Sequence, residues 1–179
     1  MPVLKAALEK DQAYPVIAAA LEEMVLLDKD QAMEFVSTMK DIDNSDIINS
    51  IGNIYASNLN TDHLDFFENN INKVDGFDAM EFLGNYLLLS LNKGDNERAI
   101  AIDKLKQVAT EPGQSLWRKL AATKNLSDLG RQFQSQVDQL TEVADKTRAQ
   151  QFADEITSIV SMIKKQETNS QLQDIYQQF

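Results

Sequence analysis

His63 is the only histidine in the chain, and there is no cysteine. Disulfides, thiolate zinc sites and cysteine nucleophiles are therefore excluded, as is a zinc site built from several histidines. The metallopeptidase pattern H-E-x-x-H is absent. A di-iron bundle needs paired Glu-x-x-His motifs, and Asn60 occupies the position where the glutamate of even one would stand. Within NTDHLDFF, His63 reads as a surface residue in a first helical turn. The stretch DIDNSD (41–46) places Asp41, Asp43 and Ser45 at the first, third and fifth positions of an EF-hand-like loop. Such a loop needs glycine sixth and a bidentate glutamate twelfth, but Asp46 and Gly52 stand there. A helix-connecting turn closed by a Ser45 cap is the simpler reading. GDNERAI lacks the second glycine and the Lys-Ser/Thr of a phosphate loop, and no serine sits in a G-x-S-x-G elbow. Pairs such as Glu22 and Glu23 are expected among 28 acidic residues and lie on ordinary polar faces. No residue is assigned a catalytic, cofactor-binding or metal-binding role.

Two aromatic features could serve recognition instead. Trp117, the sole tryptophan, is of a type enriched at binding hot spots, yet its helical spacing with Leu120 and Ala121 assigns it to the core. Phe66 and Phe67 are adjacent, and neighbours on a helix point about 100° apart. One of the two must leave the apolar stripe, and Phe66 is the expected contact with something outside the domain.

The composition narrows the partners. With 28 acidic against 17 basic residues the net charge is −11. Phosphate backbones and anionic lipid are bound by clustered Lys and Arg, so neither nucleic acid nor a membrane surface is expected as partner. Such acidity serves solubility. No run approaches the roughly 18 apolar residues that span a bilayer. The start MPVLKAALEK lacks the basic and apolar regions of a signal peptide. It reads as a helix already under way, and thus as a chain cut from a longer protein. The compartment is left open between cytoplasm and periplasm.

Apolar residues recur at three- and four-residue spacing nearly throughout, which predicts amphipathic helices. After an opening helix, stripes run through Tyr14, Ile17, Ala18, Leu21 and Met24, then Ala32, Phe35 and Val36, then Ile47, Ile48, Ile51 and Ile54. Asp28 or Asp30, Ser45 and Thr61 are the expected caps. DAMEFLGNYLLLSLNKG has almost no polar face and is expected to be covered on several sides. Gly94 stops it, Asp95 restarts the chain, and Pro112 and Gly113 punctuate it again. Thr168 with Gln171 forms a capping-box pattern for a last short helix. Ten or eleven helices and no strand follow, joined by short connections that make neighbours antiparallel. The fold class is all-α.

Helix pairs recur at roughly 30–40 residues, the range of helical-hairpin solenoids. VIAAALEEM (16–24) is echoed by RKLAATKNL (118–126), matching Ala19 with Ala121, Ala20 with Ala122 and Met24 with Leu126. Small residues on an inner helix let neighbouring hairpins approach. The expectation is one HEAT-like α-α superhelix over residues 1–179.

DQAYPVIAAALEEM, with its Asp-x-x-Tyr start and alanine-rich helix, resembles the C-terminal helical region of M1-type zinc aminopeptidases; WRKLAATKNLSDLG (117–130) has the same character. The resemblance implies a parent enzyme that removes N-terminal residues with a zinc-bound water. Its zinc ligands would lie elsewhere, so this chain by itself would be no enzyme. It would be an accessory domain packed on the catalytic module and restricting access to it. The alternative is a free-standing helical-repeat adaptor for a protein or peptide partner. A third possibility, an independent enzyme using scattered carboxylates, has only their abundance behind it.

Overall fold

The computed structural model describes residues 13–39 and 42–179. The expected opening helix lies outside them, as does Asp41. The described residues hold nine α-helices, one 3-10 turn and no strand. The all-α expectation therefore holds. The chain divides into two compact units, with the boundary after Ala99.

The first unit contains α1 (Tyr14–Leu27), α2 (Lys29–Thr38), α3 (Ser45–Ser57), a 3-10 turn at Thr61–His63, α4 (Leu64–Asn70) and α5 (Asp78–Lys93). Helix α3 packs between α1 and α5, and its sequence fits that central place. Ile47, Ile48, Ile51, Ile54 and Tyr55 are buried, together with the small Ser50, Gly52 and Ala56. Hydrogen bonds fix the register. Ser50 meets Glu22 and Lys29 meets the Ser57 carbonyl, each across 28 residues. Asn49 meets Glu81 and Asn85 meets Asn53, each across 32. In both pairs the partners advance together along the chain, so α1, α3 and α5 run parallel in one layer. The short α2 and α4 return the chain between them and pack against that layer. This connectivity is compatible with a HEAT-like superhelix.

Phe67, Phe82 and Tyr86 fill the space between α4 and α5, with Phe67 4.8 Å from Phe82 and 6.1 Å from Tyr86 between ring centroids. Gly52 admits these rings, since a Cβ there would lie 3.0 Å from Phe82 and 3.1 Å from Phe67. Helix α5 is covered as expected, except that Leu88 is exposed.

Helix α6 (Asp95–Thr110) carries the chain across the unit boundary. In the second unit α7 (Leu116–Val137) and α8 (Val143–Gln166) form a long hairpin, and α9 (Ser170–Tyr176) follows. Contacts from Lys119 to Glu167, from Phe133 to Phe152 and from Gln134 to Gln150 show α7 and α8 to be antiparallel. Ala122, Leu126 and Leu129 on α7 and Ala153, Ile156 and Val160 on α8 are buried. Of the three matched pairs, Ala20 with Ala122 and Met24 with Leu126 are buried in both stretches, whereas Ala121 is buried and its counterpart Ala19 exposed.

Three caps differ from expectation by one residue. Asn44, not Ser45, caps α3 by accepting from the Ile47 N–H at 3.1 Å. Asn60, not Thr61, caps the 3-10 turn, accepting from the Asp62 N–H. Asn169, not Thr168, caps α9, accepting from the Leu172 N–H at 3.1 Å. In each case an asparagine at least as good a cap-former stands immediately before or after the residue singled out. Asp28 caps α2 as expected.

Candidate functional site

Trp117 is the clearest departure from the sequence reading. It is 42% exposed, not core, and its neighbour Leu116 is 40% exposed. With Leu120 they form one wall of a groove of about 440 Å³ whose other wall is Leu172, Ile175 and Gln171 of α9. Five of these six side chains are apolar, an arrangement that excludes water without supplying a reacting group.

The reason for the exposure lies in the two faces of α7. Ala122, Leu126, Leu129 and Phe133 share the stripe that meets α8. At about 100° per residue Trp117 and Leu120 fall on the opposite side. There the seven-residue α9 lines the groove with them.

What holds α9 in place is a polar corner. Glu167 is 8% exposed. One carboxylate oxygen accepts from the backbone N–H groups of Thr168 at 2.9 Å and Asn169 at 2.8 Å. The other meets the Lys119 ammonium of α7 at 3.3 Å. Burial acts to raise the Glu167 pKa, but the Asn169 N–H, the Lys119 charge and the Thr168 N–H outweigh it. The carboxyl is held below its ordinary value of 4.5. Gln173 of α9 donates to the Glu167 carbonyl at 2.7 Å. The Tyr176 and Thr123 hydroxyls share a hydrogen bond of 3.0 Å, and Thr123 donates on to the Lys119 carbonyl at 2.8 Å. Lys164 of α8 donates to the Tyr176 carbonyl at 2.8 Å and also to the Phe179 carbonyl. The groove is thus pre-formed, because its second wall is tied to both helices of the hairpin.

The remaining residues singled out in the sequence lie in the first unit and do not converge. His63 stacks on Tyr55, with centroids 4.0 Å apart and planes 13° from parallel. It is half-buried and belongs to the 3-10 turn, not to the first turn of an α-helix. Phe66 does not point outward: it lies 5.2 Å from Tyr55 and 6.3 Å from Phe82. The short turn before α4 brings Tyr55 over this ring and closes the gap that the helical wheel leaves open. Asp43 pairs with Lys73 at 3.5 Å, and Ser45 donates to Asp46 at 3.3 Å. Among the described residues no group of three or more His, Asp or Glu side chains is placed to hold a metal ion. No helix among them is long and apolar enough to cross a membrane. Burial and the Glu68 carboxylate that accepts its hydrogen bond at 2.9 Å both raise the pKa of Tyr86, so that hydroxyl stays protonated as a structural donor.

Comparison of the chain with known protein families, with curated protein sequences and with solved structures finds no match.

Proposed function

We propose that the chain is a non-catalytic helical interaction module that docks a protein partner by receiving its apolar side chains in the Trp117 groove. The observation that carries this reading is an indole and a leucine, 42% and 40% exposed, on the wall of a pre-formed concave surface. Exposed apolar clusters of this kind mark interaction sites, and tryptophan in a groove is a frequent anchor. Helix α9 is about 10 Å long at 1.5 Å per residue, so the groove accommodates one or two turns of a partner helix, with apolar residues three or four positions apart.

Selection of displayed helical peptides on the purified chain tests the reading. Peptides retained by the wild type carry paired apolar residues at helical spacing. They shift the emission of Trp117 to shorter wavelength, and they lose at least about tenfold in affinity against Trp117→Ala. Peptides without such a pattern, or indifferent to Trp117→Ala, would refute it. The narrower form, an accessory domain of an M1-type aminopeptidase, is supported by the sequence resemblance alone. It requires the partner to be a module bearing H-E-x-x-H. Mass spectrometry of the polypeptide as it occurs in the cell distinguishes the two forms.

A further inference from the structure

The charge of the chain is not shared between its units. Residues 1–99 hold 18 acidic and 7 basic side chains, a net of −11, whereas residues 100–179 hold 10 of each. Within the first unit, one seam along α3 and α5 is made almost wholly of carboxamides and carboxylates. Asn49 and Asn53 both donate through Nδ2 to Glu81 Oε2, at 3.1 and 3.0 Å. Asn85 Nδ2 donates to Asn53 Oδ1 at 2.6 Å. The donors of the seam are therefore turned onto its own acceptors.

Acceptors are what the seam has left over. Asn49 is 6% exposed, and its Oδ1 has no hydrogen-bond partner. Flipping the amide would only turn that oxygen toward the Glu81 carboxylate. Buried polar atoms are rarely left in this state, because the desolvation of each goes uncompensated. One turn earlier on each helix stand Asp46 and Asp78. Neither they nor Glu81 has an ion-pair partner among the described residues. The Asp78 pKa is raised by burial and then by the charges of Asp46 and Glu81, which shows negative groups crowded without compensation.

The spacing adds a shape. Asn49 and Asn53, like Glu81 and Asn85, are four residues apart on a helix, about 6 Å along its axis. Alternate residues of an extended chain repeat at about 6.6 Å. We infer that this seam (Asp46, Asn49, Asn53, Asp78, Glu81 and Asn85) binds an extended, cationic polypeptide segment. The carboxamides meet its backbone N–H groups, and the carboxylates meet its lysine or arginine side chains. Glu81 is exposed, so an arriving cation meets its carboxylate at the surface.

The probe is a fluorescein-labelled nonapeptide of alternating lysine and alanine, titrated against the full chain by fluorescence anisotropy at low salt. Glu81→Gln weakens binding about tenfold, the loss expected of one charge-assisted contact. Glu34→Gln removes the same charge from an exposed position on α2 and changes affinity by less than about twofold. N-methylation of alternate peptide amides also weakens binding, while Trp117→Ala leaves it unchanged. Circular dichroism confirms that the variants are folded. Equal losses for Glu81→Gln and Glu34→Gln, indifference to N-methylation, or equal competition by spermine would each overturn the inference, because diffuse attraction to an acidic surface would then suffice.

Discussion

Replacing Glu167 with glutamine loosens the corner on which the Trp117 groove depends, and the size of the effect can be worked from its contacts. The variant keeps its shape and an amide oxygen for the N–H groups of Thr168 and Asn169. It loses the charge facing Lys119, whose side chain is only 16% exposed. Removing one member of a fully buried pair costs about 3–5 kcal/mol. Because Lys119 keeps some water and the caps survive, about 2 kcal/mol is expected here. For a unit of this size that lowers Tm by roughly 8–16 °C. The sign with pH follows from the direction of the shift. A carboxyl held below its ordinary value stabilises the fold above pH 4.5, and the contribution fades as pH falls through the folded pKa. The wild type therefore loses more stability than Glu167→Gln between about pH 5 and pH 3, and the two curves converge. Trp117 lies in the second unit and is the only tryptophan, so thermal unfolding followed by its emission isolates that unit. Equal stability of the two proteins at pH 7, or parallel pH curves, would refute the account of the corner.

Two glycines separate rigid from yielding neighbours. Gly52→Ala drives a Cβ to 3.0 Å from the Phe82 ring. An overpacking cost of about 1–3 kcal/mol outweighs the gain in helix propensity of about 1 kcal/mol, so the urea midpoint falls. Gly130→Ala brings its Cβ to 3.2 Å from a methyl group of Ile156. Ile156 is fully buried, but a shift of a few tenths of an ångström relieves this looser contact, so the midpoint falls less than for Gly52→Ala. Tyr176→Phe removes the hydroxyl shared with Thr123 and costs about 1 kcal/mol in denaturant unfolding. A double-mutant cycle with Thr123→Val then returns a coupling energy, whereas strict additivity would mean the hydroxyls do not interact.

The helices were legible because their apolar periodicity is strong. Asp28, Gly94 and Asp95 mark boundaries in the sequence that the structure repeats. The caps at Asn44, Asn60 and Asn169 were not resolved, since Asn-Ser, Asn-Thr and Thr-Asn each offer two competent side chains in succession. Trp117 was misplaced for a different reason. Helix α7 carries two apolar stripes, and periodicity cannot tell which of them a neighbour covers. The polar corner was equally hidden. Glu167 looks like any acid near a helix end until α9 folds back and brings Lys119, 48 residues away, against it.

The unit boundary left no mark, and this had the largest consequence for function. Boundaries are sought in proline- or glycine-rich linkers, but this one falls inside α6, a continuous helix with neither residue. Without it, a charge of −11 reads as a uniform acidic coat that serves solubility and repels every anion. Once the boundary is drawn, the whole excess belongs to the first unit and the second is neutral. Electrostatic repulsion of polyanions is then a property of the first unit, where it operates alongside attraction for cations. In the second unit the net charge is zero, so the docking proposed there rests on the shape and apolar character of the groove between α7 and α9. The two proposed surfaces would recognise their partners by two different forces. Raising the salt concentration therefore weakens lysine-peptide binding at the α3–α5 seam while leaving an apolar ligand at Trp117 unaffected or slightly tighter. A common salt response at both surfaces would mean that the charge acts on the chain as a whole.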